Sequence, residues 1–327
     1  MISIFLNLFR SRHKPSLFFY NIGKNLITWA SRMRGKNLQV DFDRFRSSQW
    51  LPSGDSPGSL TKGGGPKYKI DLIFVVTRKD FSVLKYSLPK AIDAIAPEFR
   101  GQVRLIVPTR DVNDCETLFA NHHTNIEVSD EETLIREFDR NKLKIKFGER
   151  YTWVLQQILK VAAVLESNSR ATLIVDADTI LLRERDWIND SDRQILMPTE
   201  EFNYEYYSFL SKFGLCKNPP DYTFVSHHML IQKSIMIKAL EVIGVTSIHE
   251  LVALLSNEVD IISQSPVCID YELYAQFMFM FFPEKVVLEN WSNIGISSGR
   301  LTQTCNSPLK MAILRLFYNS VSFHSWS

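Results

Sequence analysis

In the stretch ATLIVDADTILLR, Asp176 and Asp178 stand one residue apart at the end of an apolar, β-branched run. Neighbouring carboxylates raise each other's pKa unless a cation compensates them. Hard oxygen ligands suit Mn²⁺ or Mg²⁺, which bind through one or two carboxylates completed by substrate phosphates. The pair is therefore either a polar turn with solvated carboxylates or a divalent-metal site facing a diphosphate. Three other places carry groups able to do chemistry. FVSHHML sets His227 beside His228, and strand alternation sends the two to opposite faces, so one of them could reach a cleft. IDYELYAQF holds Asp270 and Glu272 in an aromatic frame. Glu272 is the better placed of the two to take a proton from an attacking hydroxyl, with Asp270 behind it; equally, both could complement a helix N-terminus. In VVTRKD, Asp80 is set to cap the helix that follows.

The elements that must position these residues follow from hydrophobic periodicity. KIDLIFVVT, QVRLIVPT, TNIEVSD and ATLIVDAD read as strands, with helical spacing in DFSVLKYSLPKAIDAI and in ERYTWVLQQILKVAAVLES. Strands alternating with helices predict a parallel, doubly wound α/β sheet. In such sheets ligands bind outside the carboxyl ends of the strands, where Asp176 and Asp178 fall. The helix before them is apolar around most of its circumference, and Gln156, Gln157 and Lys160 form a narrow polar stripe that faces either solvent or a polar cleft. The second half is more mixed: FNYEYYSFLSKFG, SIMIKALEVIG and DYELYAQFMFMFF read as helices, and FVSHHMLIQ as a strand.

Bulk properties limit the alternatives. The chain of 327 residues is 45% hydrophobic and 23% charged, with a net charge of +2, so nothing global points to nucleic acid. Four cysteines without CxxC spacing fit a reducing compartment, and no segment reaches the roughly 18 apolar residues of a membrane span. A cytoplasmic protein is expected. Residues 1–40 are basic and amphipathic, either packing on the domain or giving peripheral contact with an anionic membrane face. Residues 41–67 form a Gly/Ser/Pro-rich linker, and the globular part runs over 68–327.

The blocks YTWVLQQILK, VDADTILL, FVSHHML, DYELYAQF and WSN, in that order, resemble the GT-A-type (nucleotide-diphospho-sugar) glycosyltransferase superfamily. Within it the likeness is to an uncharacterised bacterial family, and it covers about residues 68–327. The resemblance implies a GT-A-like, Rossmann-type, mostly parallel sheet flanked by helices, with a nucleotide-sugar half (68–183) and a mixed acceptor half (184–327). It implies Asp176 and Asp178 on the metal, Asp178 more directly and Asp176 shared with the donor ribose, and His324 in SFHSWS as a further ligand. It puts Thr77, Arg78 and Asp80 against the nucleotide, Lys160 on phosphate, Gln157 on a sugar hydroxyl and His228 on sugar or acceptor. The implied partners are a nucleotide-sugar donor and a glycan acceptor, and the implied setting is bacterial polysaccharide synthesis. The same residues fit two other readings: a haloacid-dehalogenase-like phosphatase using the DxD, and a glycan-binding scaffold without turnover.

Overall fold

The computed structural model describes residues 68–324 except 121, 123–124, 136–139, 189–192, 200–203, 217–222, 259–266 and 290. The extension and linker expected over 1–67, and the tail with Trp326, lie outside the described residues. The central sheet has the order β3-β2-β1-β4-β7. Its strands are β1 (Ile70–Val75), β2 (Arg100–Val107), β3 (Ile126–Asp130), β4 (Ala171–Val175) and β7 (His228–Gln232). β1 to β4 run parallel, and β7 closes the edge antiparallel to β4. Helices α1 (Phe81–Asp93) and α2 (Val112–Phe119) cross over between the first three strands, and α4 (Tyr151–Glu166) leads into β4 after the short α3 (Arg140–Phe147).

β1 and β4 are buried along their whole length, which is why both read as continuous apolar runs rather than alternating ones. The period of two divides their side chains between two layers. Ile73, Val75 and Ile174 meet the cluster formed with α4, while Leu72, Phe74, Leu173 and Val175 meet the cluster on the α1 side. β5 (Thr179–Leu181) and β6 (Gln194–Leu196) follow β4, and α5 (Tyr204–Ser211) precedes β7. Then come α6 (Lys233–Val242), α7 (Ile248–Glu258), α8 (Tyr271–Phe281) and β8 (Val286–Leu288), which pairs with β6. The chain continues through β9 (Asn293–Ser297), α9 (Leu301–Cys305), α10 (Pro308–Phe317) and β10 (Ser320–His324). A small sheet, β5-β10-β9, covers the carboxyl end of β4 with a third apolar cluster that includes Ile180, Leu314, Val321 and Phe323.

Two expected site residues are core residues. His228 is fully buried, its ring edge-on to Trp187 at 5.7 Å, because the first residue of β7 points into the sheet rather than toward the strand ends. Glu272 is also fully buried. One of its carboxylate oxygens accepts from the Phe224 amide at 2.7 Å and the other from Gln276 one turn on, so it fastens the segment before β7 to α8. A carboxylate so enclosed has no route to an acceptor hydroxyl, and the proton-accepting role expected of Glu272 does not fit its position.

Burial pushes Glu272 up to about 7, against the lowering by its hydrogen bonds from Phe224, Gln276 and Tyr207. Burial, helped by Arg185 and His227, pushes His228 down to about 3. Between the ordinary 4.5 and about 7, the unfolded chain has lost a proton that folded Glu272 keeps, so stability falls as pH rises. Between about 3 and the ordinary 6.5, the unfolded chain binds a proton that folded His228 refuses, so stability rises with pH. Over the shared window the slopes oppose at about 1.4 kcal/mol per pH unit each. Glu272→Gln should therefore give stability that climbs from pH 5 to 6.5, and His228→Leu stability that declines over the same range. Denaturant midpoints at three pH values would check this, and parallel curves for both variants would refute it.

Candidate functional site

The turn after β4 is built by its own backbone: the Thr179 amide donates to the Asp176 carbonyl at 2.9 Å, closing Asp176–Thr179. Its two sides are fixed by different partners. The Asp176 amide donates to the His227 carbonyl at 2.8 Å, and the Phe323 amide donates to the Asp178 carbonyl at 2.8 Å. The two carboxylates thus emerge, both half-buried, where the edge of β7 and the last strand β10 converge.

Asp176 is fully engaged. One oxygen faces Lys160 Nζ at 2.7 Å and accepts from the Tyr271 hydroxyl at 2.9 Å; the other lies 3.3 Å from His227 Nδ1. Lys160 reaches it from α4 with only 6% of its surface exposed, and also meets Asp270 at 3.0 Å while lying 4.4 Å from the Tyr271 ring centre. Burial alone would lower the Lys160 pKa, yet Asp176 and Asp270 together hold it well above the usual range. Burial likewise works against ionisation of Asp176, but Lys160 and His227 overcome it and keep the carboxyl well below its ordinary value. Asp270 caps α8, its other oxygen accepting from the Tyr271 amide at 2.7 Å. Lys160 and Asp270 are thus an internal ion pair, and the Lys160 ammonium is shared between Asp270 and Asp176.

Asp178 has a different environment. One oxygen lies 3.3 Å from His324 Nδ1, and the Thr179 hydroxyl is 3.2 Å from the other. His324 is delivered by β10, the strand that reads as an abrupt tail in the sequence. Its neighbour across the sheet is β9, where Gly295 leaves room for the ring: a Cβ there would stand 3.2 Å from His324 Cδ2. Asp80 is near enough to Asp178 for that charge to raise its pKa, although burial is the larger cause and Thr77 opposes both. Thr77 and Asp80 form a reciprocal cap, the Thr77 hydroxyl donating to Asp80 at 2.8 Å. Arg78 instead points outward and pairs with Asp114 at 3.0 Å.

The structure therefore brings together Asp176, Asp178, His324 and the Thr77–Asp80 turn, with Lys160, Asp270 and Tyr271 supporting Asp176 from below. Gln157 is not at this edge. Its amide spans the chain before α8, donating to the Val267 carbonyl at 2.9 Å and accepting from the Ile269 amide at 2.8 Å. His227, its backbone left-handed at φ 64°, is the histidine at the carboxylates, with the Trp291 and His324 rings 6.0 and 5.6 Å away. That conformation costs a non-glycine residue about 1–2 kcal/mol, and the HH pair was the only sequence signal for it. Nothing in the sequence pointed to Gly295 as a neighbour of the site, and Trp291 was marked only by the WSN block. Among the described residues no three His, Cys, Asp or Glu side chains are already gathered as a metal cage.

Removing Lys160 should strand two buried carboxylates. Lys160→Met is expected to lower stability by about 3–5 kcal/mol, read from chemical denaturation. The double variant Lys160→Met/Asp270→Asn should recover part of that loss, and equal losses in both would show that the ion pair does not carry the effect.

A family model described as a family of unknown function (DUF6492) matches residues 78–212. None of the curated proteins matches the chain. Among solved structures, mouse xyloside xylosyltransferase 1 in its apo form is similar at 11% identity and a TM-score of 0.44, over 80% of this chain and 99% of that one. The galactosyltransferase LgtC, in complex with donor and acceptor sugar analogs, is similar at 14% identity and a TM-score of 0.40, over 78% of this chain and 87% of that one. Core-mannan synthase A from Aspergillus fumigatus, in a Mn/GDP form, is similar at 10% identity and a TM-score of 0.44, over 77% and 82% of the two chains.

Proposed function

We propose that this protein is a metal-dependent glycosyltransferase that moves a sugar from a nucleotide-sugar donor to a glycan or other hydroxyl acceptor. The observation that carries the reading is the pairing of Asp178 with His324 at the carboxyl end of the parallel sheet, 3.3 Å apart, beside an Asp176 whose charge is already answered by Lys160. A carboxylate and an imidazole make an incomplete donor set for Mn²⁺ or Mg²⁺. Such a set suits an ion whose remaining positions are filled by diphosphate oxygens and water. The residues present thus fit the group as half of a shared site, with Asp178 and His324 as its protein ligands.

When bound, the metal would neutralise charge developing on the leaving nucleoside diphosphate. The chain's own residues do the rest of the work. Lys160 holds Asp176 ionised and fixed, so that a ribose hydroxyl meets a preset acceptor instead of a mobile one. Tyr271 contributes its hydroxyl to the same carboxylate at 2.9 Å. The Thr77–Asp80 turn, at the end of β1 in the same sheet, borders the site from the other side and offers backbone to a nucleotide. Under this reading residues 68–183 carry the donor half and 184–327 the acceptor half. The setting is bacterial polysaccharide synthesis at the cytoplasmic side of the membrane, with the basic N-terminal segment as a peripheral contact. Among the described residues no helix is long and apolar enough to cross a membrane.

Calorimetry with nucleoside diphosphates in the presence and absence of Mn²⁺ tests the reading. Asp178→Asn and His324→Ala should each weaken metal-dependent binding at least about tenfold, roughly 1.4 kcal/mol, with little change in melting temperature. Gly295→Val, which crowds the His324 ring without touching Asp178, should move binding in the same direction. Full metal-dependent affinity in Asp178→Asn would defeat the proposal. A panel of nucleotide sugars screened by thermal shift with Mn²⁺ would then identify the donor.

A further inference from the structure

Helix α10 is apolar on two sides, and only one of them is covered. Leu314 is buried in the third cluster, with Met311 packed against it. On the other side Leu309 is 71% exposed and Leu316 48% exposed, with Ala312 exposed and Ile313 half-buried between them. Positions 309, 312, 313 and 316 follow the i, i+3, i+4, i+7 spacing of a single helical stripe. A stripe of that kind on a surface helix is made to be covered. Beside it runs a groove of about 310 Å³ whose lining includes Tyr86, Ile180, Leu182 and Met311.

The segment that carries the stripe has charge of one sign. From 290 to 327 the sequence contains no Asp or Glu, yet it contains Arg300, Lys310 and Arg315. Lys310 and Arg315 flank the stripe on either side of α10, and Arg183 lies close enough to Arg315 for the two cations to oppose one another. Arg315 is held in place by donating to the Leu182 carbonyl at 2.7 Å. Lys90, at the groove, is partly answered by Asp93 at 3.3 Å.

We propose that this stripe docks α10 onto an anionic lipid surface. Leucines flanked by lysine and arginine meet both requirements of such a surface: the apolar side chains enter the acyl boundary while the cations reach the phosphate layer. A second copy of the chain fits less well. An isologous pairing of the stripe would bring Lys310 and Arg315 of each copy against their own equivalents, with no acidic residue from this segment to offset them. In sequence, α10 lies far from the basic residues 1–40. It is also joined to the candidate site, since α10 ends at Phe317 and β10 then carries His324 to Asp178.

Flotation of the full-length protein with vesicles tests this. Wild type should bind vesicles of phosphatidylcholine with phosphatidylglycerol well above phosphatidylcholine alone. Leu309→Glu/Leu316→Glu should bind the anionic vesicles at least about tenfold more weakly, with an unchanged circular dichroism spectrum. Because acidic substitutions could impair folding, the neutral pair Leu309→Gln/Leu316→Gln should show a smaller loss in the same direction. Wild-type binding to anionic vesicles by the folded glutamine pair would overturn the proposal and leave the N-terminal segment as the contact. Absence of wild-type binding would overturn it too. So would a wild-type dimer by light scattering that the substitutions turn into a monomer, which would identify a second copy as the cover.

Discussion

The site depends on one buried ammonium. Lys160 enters from α4, Asp176 ends β4 and Asp270 begins α8, and the three meet within 3.0 Å of a single nitrogen. A lone charge at this depth would be too costly to keep, and two carboxylates without it more so. The ion pair therefore couples β4 to α8, which shares the α4 side of the sheet, and holds the start of the DxD turn. Tyr271 adds its hydroxyl to Asp176 and its ring to Lys160, so the first residue of α8 is tied to both partners. Gln157, one turn earlier on α4, clamps the chain leading to Asp270. Polar residues on this helix thus organise the support of the site rather than face its contents.

The other half of the site is assembled over a long sequence distance. β10 returns from the end of the chain to lie between β5 and β9, and Ser322 meets Thr179 through their hydroxyls at 2.8 Å. The Phe323 amide locks onto the Asp178 carbonyl. With two of its backbone neighbours fixed by hydrogen bonds, His324 has little freedom in where its ring can go, and Gly295 supplies the space it takes. The left-handed backbone of His227 is maintained in a similar way, by the amide of Asp176 on its carbonyl. Strain of this sort persists where surrounding contacts over-determine it, and such places are often functional.

Much of the first half was legible because its physics is local. The runs IDLIFV and ATLIV can only be strands buried on both faces, and the helix between β3 and β4 announces itself by length and periodicity. The antiparallel β7 could not be read as such, since a single apolar strand carries no sign of its direction. Short strands such as β5, β6 and β8, three residues each, have too few residues to show a period. Asp176, Asp178 and His324 drew attention in the sequence because residue type and a strand end coincide there, and the fold brings the three to one edge. What the sequence did not show is the packing each polar residue serves: Glu272 holds the Phe224 amide, Gln157 the chain at Val267, and His228 lies against Trp187. Sequence supplies the need of a polar group for a partner, whereas only the fold supplies which partner satisfies it.

The contrast between the two aspartates says most about how the site is arranged. One residue apart in sequence, they face the same electrostatic difficulty and meet it in different ways. Asp176 is answered from inside by Lys160 and is held ionised whatever is bound. Asp178 meets instead a half-buried histidine on β10 at 3.3 Å and the Thr179 hydroxyl at 3.2 Å. A turn with both carboxylates neutralised internally would have no demand for an exogenous cation, and one with neither neutralised would pay for repulsion whenever the site stood empty. Giving Lys160 to one carboxylate and leaving the other at the edge keeps the empty site stable while preserving a demand for positive charge beside Asp178. That asymmetry is what an ion brought in with a diphosphate would meet.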